Sequence, residues 1–163
     1  MPKPQEIERK FWVRSLPSTC LQYSPVPIEQ GYIAIEENGH AVRLRRKSEA
    51  FSLTVKSSGG MVREEYEIAI SKPQFEALWE STEGQRIVKD RYVIPYQNLQ
   101  IEVDVFRGKL KGLVIAEIEF ESIEAANAFQ KLKWMEVEVT GNSYFNNRKL
   151  QEMDGVEAVL AYL

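Results

Sequence analysis

The stretch Glu6-Ile7-Glu8-Arg9-Lys10-Phe11-Trp12-Val13 alternates with period two, Glu6, Glu8, Lys10 and Trp12 on one parity and Ile7, Arg9, Phe11 and Val13 on the other. Successive side chains of a β-strand point to opposite faces, so this is a strand with one ionic and one largely apolar face. The same reading holds for Glu29 to Ile35, Ala41 to Lys47, Phe51 to Lys56, Val62 to Ile70, Ile87 to Ile94, Gln100 to Phe106, Val114 to Phe120 and Met135 to Val139. Turn signals separate these segments: Asn38-Gly39, Ser57-Ser58-Gly59-Gly60 and Arg107-Gly108.

Helical spacing is confined to three places. Lys72-Pro73 opens a helix in which Phe75, Leu78 and Trp79 share a face, and Ser122 caps a helix over Ile123 to Leu132. A third runs from about Asn146, with Leu150, Met153 and Val156 on its apolar side. The expected fold class is therefore α+β, mainly β.

An antiparallel sheet ordinarily carries mixed polar residues on its solvated face. Here those faces are almost wholly ionic and sorted by sign. Glu6, Glu8 and Lys10 share a face, as do Arg43, Arg45 and Lys47; Ser52, Thr54 and Lys56; and Arg63, Glu65 and Glu67. Lys89 and Arg91, Glu102 and Asp104, Glu117, Glu119 and Glu121, and Glu136 and Glu138 follow. Any one of these strands reads as a solvated face. Together they suit a sheet that closes, because an eight-stranded barrel encloses a ligand-sized space and leaves no edges. Charges lining such an interior must stay wet, pair, or hold an ionic ligand.

Composition limits what that ligand can be. The chain of 163 residues has one cysteine, Cys20, and one histidine, His40, which lies in the turn Glu36 to His40. Thiolate clusters, internal disulfides and histidine-rich zinc sites are excluded, so a bound metal would be held by carboxylates, which suit magnesium, manganese or calcium. The net charge of -3 gives no support to general nucleic-acid binding. The longest uninterrupted aliphatic run, Leu113 to Ala116, is far short of the about 20 apolar residues of a membrane span. Charges at Glu6, Glu8, Arg9 and Lys10 disfavour a signal peptide, so a cytoplasmic location is expected. Length over roughly 150 residues per domain predicts one domain spanning residues 1–163.

The basic inward candidates are Lys10, Arg43, Arg45, Lys56, Lys89 and Arg91; the acidic ones are Glu6, Glu8, Glu65, Glu67, Glu102, Asp104, Glu117 and Glu119. Guanidinium forks and ammonium groups suit phosphate oxygens, and clustered carboxylates suit hard divalent cations. A polyphosphate with metal ions satisfies both sets. A ligand-free ion-pair network and a calcium site without phosphate remain as alternatives, the second leaving the basic set unexplained.

The ordered motifs resemble the CYTH domain, or triphosphate tunnel metalloenzyme, family along nearly the whole chain. Glu6-Ile7-Glu8-Arg9-Lys10 is similar to its opening Glu-x-Glu-x-Lys signature, Gln30-Gly31-Tyr32 to its second strand, and Arg43-Leu44-Arg45 to its Arg-x-Arg strand. Thr54-Val55-Lys56, Glu65-Tyr66-Glu67, Lys89-Asp90-Arg91, Glu102-Val103-Asp104, Glu117-Ile118-Glu119 and Glu138-Val139-Thr140 follow in order.

The resemblance implies an eight-stranded antiparallel closed β-barrel, a triphosphate tunnel with a few helices packed outside. It implies Lys10, Arg43, Arg45, Lys56, Lys89 and Arg91 on the phosphates, and Glu6, Glu8, Glu117 and Glu119 as catalytic metal ligands. Glu65, Glu67, Glu102 and Asp104 would be further or water-mediated ligands to Mg2+ or Mn2+, with two ions expected. The opening motif and Glu83-Gly84-Gln85-Arg86 look most like small bacterial members acting on tripolyphosphate, and no aromatic clamp for an organic group is evident. Hydrolysis of inorganic triphosphate is the expected activity. The alternatives are an organic triphosphatase acting on thiamine triphosphate or a nucleotide, a class IV-type adenylate cyclase, and a non-enzymatic polyphosphate-binding module. The expected partner is a triphosphate-containing small molecule, with no nucleic acid or membrane; a homodimer is left open. Trp12, Trp79 and Trp134 read as packing residues, while Arg148 and Lys149 either cap a tunnel mouth or form a solvated helix face.

Overall fold

The computed structural model describes residues 5–57 and 61–163. The glycines of the Ser57 to Gly60 turn lie outside them. The alternating segments form β1 (Gln5–Val13), β2 (Val26–Ile35), β3 (Ala41–Lys47), β4 (Ala50–Lys56), β5 (Val62–Ala69), β6 (Arg86–Tyr96), β7 (Leu99–Phe106) and β8 (Val114–Phe120). All neighbouring strands are antiparallel, in the order β5-β4-β3-β2-β6-β7-β8-β1, and β1 pairs with β5 to close the barrel. The closing seam is short: Gln5 to Ile7 pair with Glu64 to Val62, and further along β1 a two-residue strand, β9 (Val137–Glu138), takes the same edge at Phe11 and Trp12. Met135 to Val139 is thus mostly not strand.

The helices are shorter than their periodicity predicts. In α1 (Lys72–Trp79) Ser71 and Gln74 form a capping box; Phe75 is buried and stacks on Trp79 at 4.9 Å, whereas Leu78 is exposed. Helix α2 (Ile123–Ala128) stops early because Phe129 turns to extended backbone to pack on Phe11 and Phe120. The expected C-terminal helix is two, α3 (Asn147–Leu150) and α4 (Val156–Leu160), interrupted before Gly155 at φ 157°. Among the described residues no helix is long and apolar enough to cross a membrane.

Parity sorts the side chains into an outer and an inner set. Phe11, Val13, Ile101, Val103, Ala116, Ile118 and Phe120 form a core with Ala126 of α2 and Cys20. On β4 and β5, the apolar Val55, Tyr66 and Ile68 stay exposed. Inside, the barrel is not ionic throughout. Ile87, Phe106 and Ile115, with Trp12 against them, meet Phe145, Leu150 and Val159 in a second apolar cluster. These inner residues continue the parities of Lys89, Asp104, Glu117 and Lys10, so the C-terminal helices plug one end of the barrel. Trp12 is therefore packing in the plug. Gly31 has a separate role on the outer face of β2: a Cβ there would lie 2.5 Å from Thr82. Its absence lets the segment after α1 dock, and Gln85 accepts the backbone hydrogen bond of Tyr32.

Candidate active site

The ionic half of the barrel encloses a cavity of about 230 Å³. Strand register builds its walls, since direct cross-strand partners point to the same side. Glu8 lies opposite Glu119 and Lys10 opposite Glu117 on β1 and β8; Glu102 lies opposite Glu117 on β7. Across the barrel Arg43 lies opposite both Tyr32 and Thr54, and Lys56 opposite Glu65. Of the expected residues, Glu6, Glu8, Lys10, Arg43, Arg45, Lys56, Glu65, Glu67, Arg91, Glu102, Glu117 and Glu119 all line this one cavity.

Lys89 and Asp104 do not, which corrects their expected places. Both are wholly buried behind the wall, the Lys89 ammonium 2.5 Å from Asp104. Arg91 holds the same carboxylate through Nε at 2.7 Å and Nη2 at 2.8 Å. Burial, offset by Lys89 and then Arg91, leaves Asp104 below the usual carboxylate range; burial outweighs Asp104 in bringing Lys89 down to about 8. The cluster closes on itself and aims the rest of the Arg91 guanidinium at Glu102 and Glu117.

The basic wall is under-compensated. Arg43 reaches Glu65 and Glu67 with Nη2, at 3.5 and 3.6 Å, but among the described residues its buried Nε and Nη1 have no acceptor, nor has Nε of Arg45. Buried guanidinium N–H groups seldom go without an acceptor. Burial, followed by repulsion from Arg43 and Arg91, brings Arg45 down to about 10. Burial with the charges of Arg43 and Arg63 lowers Lys56 well below its ordinary value. A polyanion would relieve all of these at once.

The acidic side is crowded in the opposite sense. Glu6 is raised to about 7 by burial, by a hydrogen bond with Glu65 and by its charge. Glu119 is raised by burial and by Glu8 and Glu65. Hard oxygen donors that hinder one another's ionisation fit a divalent cation, although among the described residues no group of three acidic, histidine or cysteine side chains is gathered to hold one.

Three cavity-lining residues were absent from the expected basic set: Lys47, which continues the parity of Arg43 and Arg45, Arg148, and Arg63. Arg63 shares the inward parity of Glu65 and Glu67 and lines the cavity among three carboxylates, contacting Glu8 through Nη1, Glu6 through Nη2 at 3.0 Å, and Glu65 through Nε at 3.4 Å. Parity alone could have found it. Tyr32, Asn146, Asn147 and Arg148 also line the cavity, and Arg148 donates to the Gly39 carbonyl at 2.6 Å. Lys149 instead lies outside that lining, part-exposed and paired with Glu152 at 2.8 Å. Glu138 lies outside the cavity, where Arg9 holds it.

Comparison with known proteins gives a consistent picture. The CYTH domain profile matches residues 4–144. An inorganic triphosphatase of Nitrosomonas europaea is 42% identical over 146 residues, covering 89% of this chain and 95% of that protein. One of Acetivibrio thermocellus is 37% identical over 148 residues, covering 90% and 92%. A crystal structure of an inorganic triphosphatase superposes with a TM-score of 0.69 at 38% identity, covering 92% of this chain and 96% of that one. A Hippeastrum protein, 16% identical with a TM-score of 0.56 over 75% of this chain and 82% of its own, shares the fold alone.

Proposed function

This chain belongs to the CYTH domain family, and on that premise we propose that it is a metal-dependent hydrolase that cleaves inorganic triphosphate to pyrophosphate and phosphate inside the barrel. The observation that carries the reading is the basic wall: buried guanidinium N–H groups of Arg43 and Arg45 without acceptors among the described residues, beside a Lys56 whose charge is disfavoured by burial and then by like charge. The cavity size supports the choice of substrate. At about 230 Å³ it lies below the roughly 300–1,000 Å³ of sites for drug-sized molecules. Among the described residues lining it Tyr32 is the only aromatic one, so these offer a base or thiazole ring no stacking pair.

In this reading Lys10, Arg43, Arg45, Lys56 and Arg91 grip the phosphate chain from separate strands, holding it in one register before reaction. Lys89 and Asp104 fix the plane of Arg91 and do not touch the substrate. Glu6, Glu8, Glu117 and Glu119 would hold the metal, with Glu65, Glu67 and Glu102 available as further or water-mediated ligands. When bound, Mg2+ or Mn2+ supplies charge neutralisation of the phosphates and, as a second ion, a water of lowered pKa. The apolar plug at Trp12, Phe106 and Ile115 excludes water from one end, leaving the substrate to enter from the other. We read residues 1–163 as one working domain, because the plug includes residues of the C-terminal helices.

The test is phosphate release from tripolyphosphate with Mg2+ or Mn2+. Release is expected to vanish with EDTA and return with either metal. Full turnover in thoroughly chelated protein would overturn the metal-dependent scheme. Tripolyphosphate should also stabilise the fold by about 2.7 kcal/mol at one hundred times Kd, which a phosphate-free polyanion of equal charge should not match.

A further inference from the structure

We propose that Arg63 is an internal cation that stands among Glu6, Glu8 and Glu65 in the absence of metal, so that a divalent ion gains those carboxylates only as Arg63 lets them go. The inference rests on the function proposed above and adds to it a positioning residue that controls when metal binds.

The geometry is that of a counter-ion rather than of a surface pair. Nη1 and Nη2 of Arg63 engage the two oxygens of Glu8, Nη2 adds Glu6 at 3.0 Å, and Nε adds Glu65 at 3.4 Å. One planar fork thus takes oxygens from three side chains on two strands, hard donors of the kind that suit a divalent cation but held around the guanidinium rather than gathered about one ion. The contacts fall at the short seam where β1 meets β5, and Glu6 and Arg63 are direct cross-strand partners there. Arg63 is therefore held next to these carboxylates by the closure of the barrel itself.

This position has a consequence for order of binding. A metal ion arriving alone must compete with a guanidinium already in place, and carboxylate oxygens cannot serve both fully. A triphosphate brings new acceptor oxygens for Arg63, so metal and triphosphate together can do what metal alone does poorly. The two ligands are then coupled through one side chain, and such couplings commonly amount to about 5–150-fold in affinity.

The experiment is a titration of the substrate-free chain with Mn2+ alone at fixed neutral pH, free Mn2+ being counted by electron paramagnetic resonance. Arg63→Gln should bind Mn2+ at least about tenfold more tightly than the native chain, a factor within that coupling range. Arg63→Lys, which keeps the positive charge, should stay close to the native affinity, an outcome that a merely structural role would not produce. If Arg63→Gln does not fold, Arg63→Met, which keeps most of the stem, removes the charge and leaves every carboxylate in place, is used instead and should likewise bind Mn2+ more tightly than the native chain. Unchanged or weaker Mn2+ binding in the folded variant would overturn the inference. Hydrolysis is not read in this titration, so a failure of the triphosphatase reading would appear separately, as absent phosphate release from a chain whose Mn2+ affinities behave as expected.

Discussion

Two ion clusters inside the same barrel both pair cations with carboxylates, yet their surroundings differ. Lys89, Asp104 and Arg91 form a cluster whose central carboxylate is wholly buried and takes three donor contacts of 2.5 to 2.8 Å. Arg63 with Glu6, Glu8 and Glu65 is the mirror case, one cation among several carboxylates, and it faces the cavity with Glu6 still part-exposed. What separates them is depth. The first cluster borders the apolar plug, Lys89 lying opposite Phe106 and Asp104 opposite Ile115, where no solvent or ligand can replace a lost partner. The second lies where a metal or a phosphate can. One charged cluster closes on itself and the other stays open to the cavity.

The largest break expected is at the closed cluster. Asp104→Ala strands Lys89 and Arg91 without their carboxylate, and removing one partner of a buried pair costs about 3–5 kcal/mol. Chemical denaturation should show that loss, and activity should fall with it. A smaller effect on the fold, with a large one on turnover, is expected in the cavity. Arg45→Ala or Lys56→Ala should lower kcat/KM for tripolyphosphate by about 10²–10³, the scale of losing one aimed electrostatic donor. Stability should hold or rise in Arg45→Ala, which relieves the burial of a guanidinium and its repulsion from Arg43, and change little in Lys56→Ala, where relief of burial and of the same repulsion is set against loss of the ion pair with Glu65 at 3.3 Å. Equal losses of stability at Asp104 and Arg45 would erase the distinction between the clusters.

The clusters should also differ in the sign of their pH response. Asp104 titrates lower in the fold than its ordinary 3.8, so its contribution is present above that value and is lost as pH falls through the depressed one. Glu6 is raised from 4.5 to about 7, so its contribution is complete below 4.5 and is lost as pH rises through about 7. Comparing the metal-free native chain with Glu6→Gln by thermal denaturation from pH 4.5 to 7 should show the variant gaining relative stability with pH. The smallest effect is expected at the outer surface. Arg107, exposed and paired with Asp90, should cost about 0–1 kcal/mol when changed to alanine and leave turnover unaltered.

Parity made the tunnel legible in the sequence. Strict period-two alternation places Glu6, Glu8 and Lys10, or Arg43 and Arg45, on one face, and a barrel leaves that face only an interior to occupy. Depth along the axis was not legible, because it depends on strand tilt and stagger as well as parity. Asp104 and Glu102 look alike in sequence, yet one is locked to Lys89 and the other faces the cavity. Arg63 went unassigned to the basic set because its strand is otherwise acidic, although its parity was plain. Helix lengths were overestimated for a different reason: tertiary packing of Phe129 and the backbone at Gly155 end segments whose periodicity runs on.

Recognition and cleavage of a bare triphosphate chain in this cavity are the expected chemistry. Its most direct test is a comparison of kcat/KM for tripolyphosphate, pyrophosphate and ATP with Mg2+ or Mn2+, with cyclic AMP measured alongside. Tripolyphosphate should be turned over best, since its whole length meets basic groups on separate strands, whereas pyrophosphate leaves part of that set unpaired. ATP turned over fastest, with cyclic AMP as the main product, would contradict the account and place the chemistry at the α-phosphorus instead.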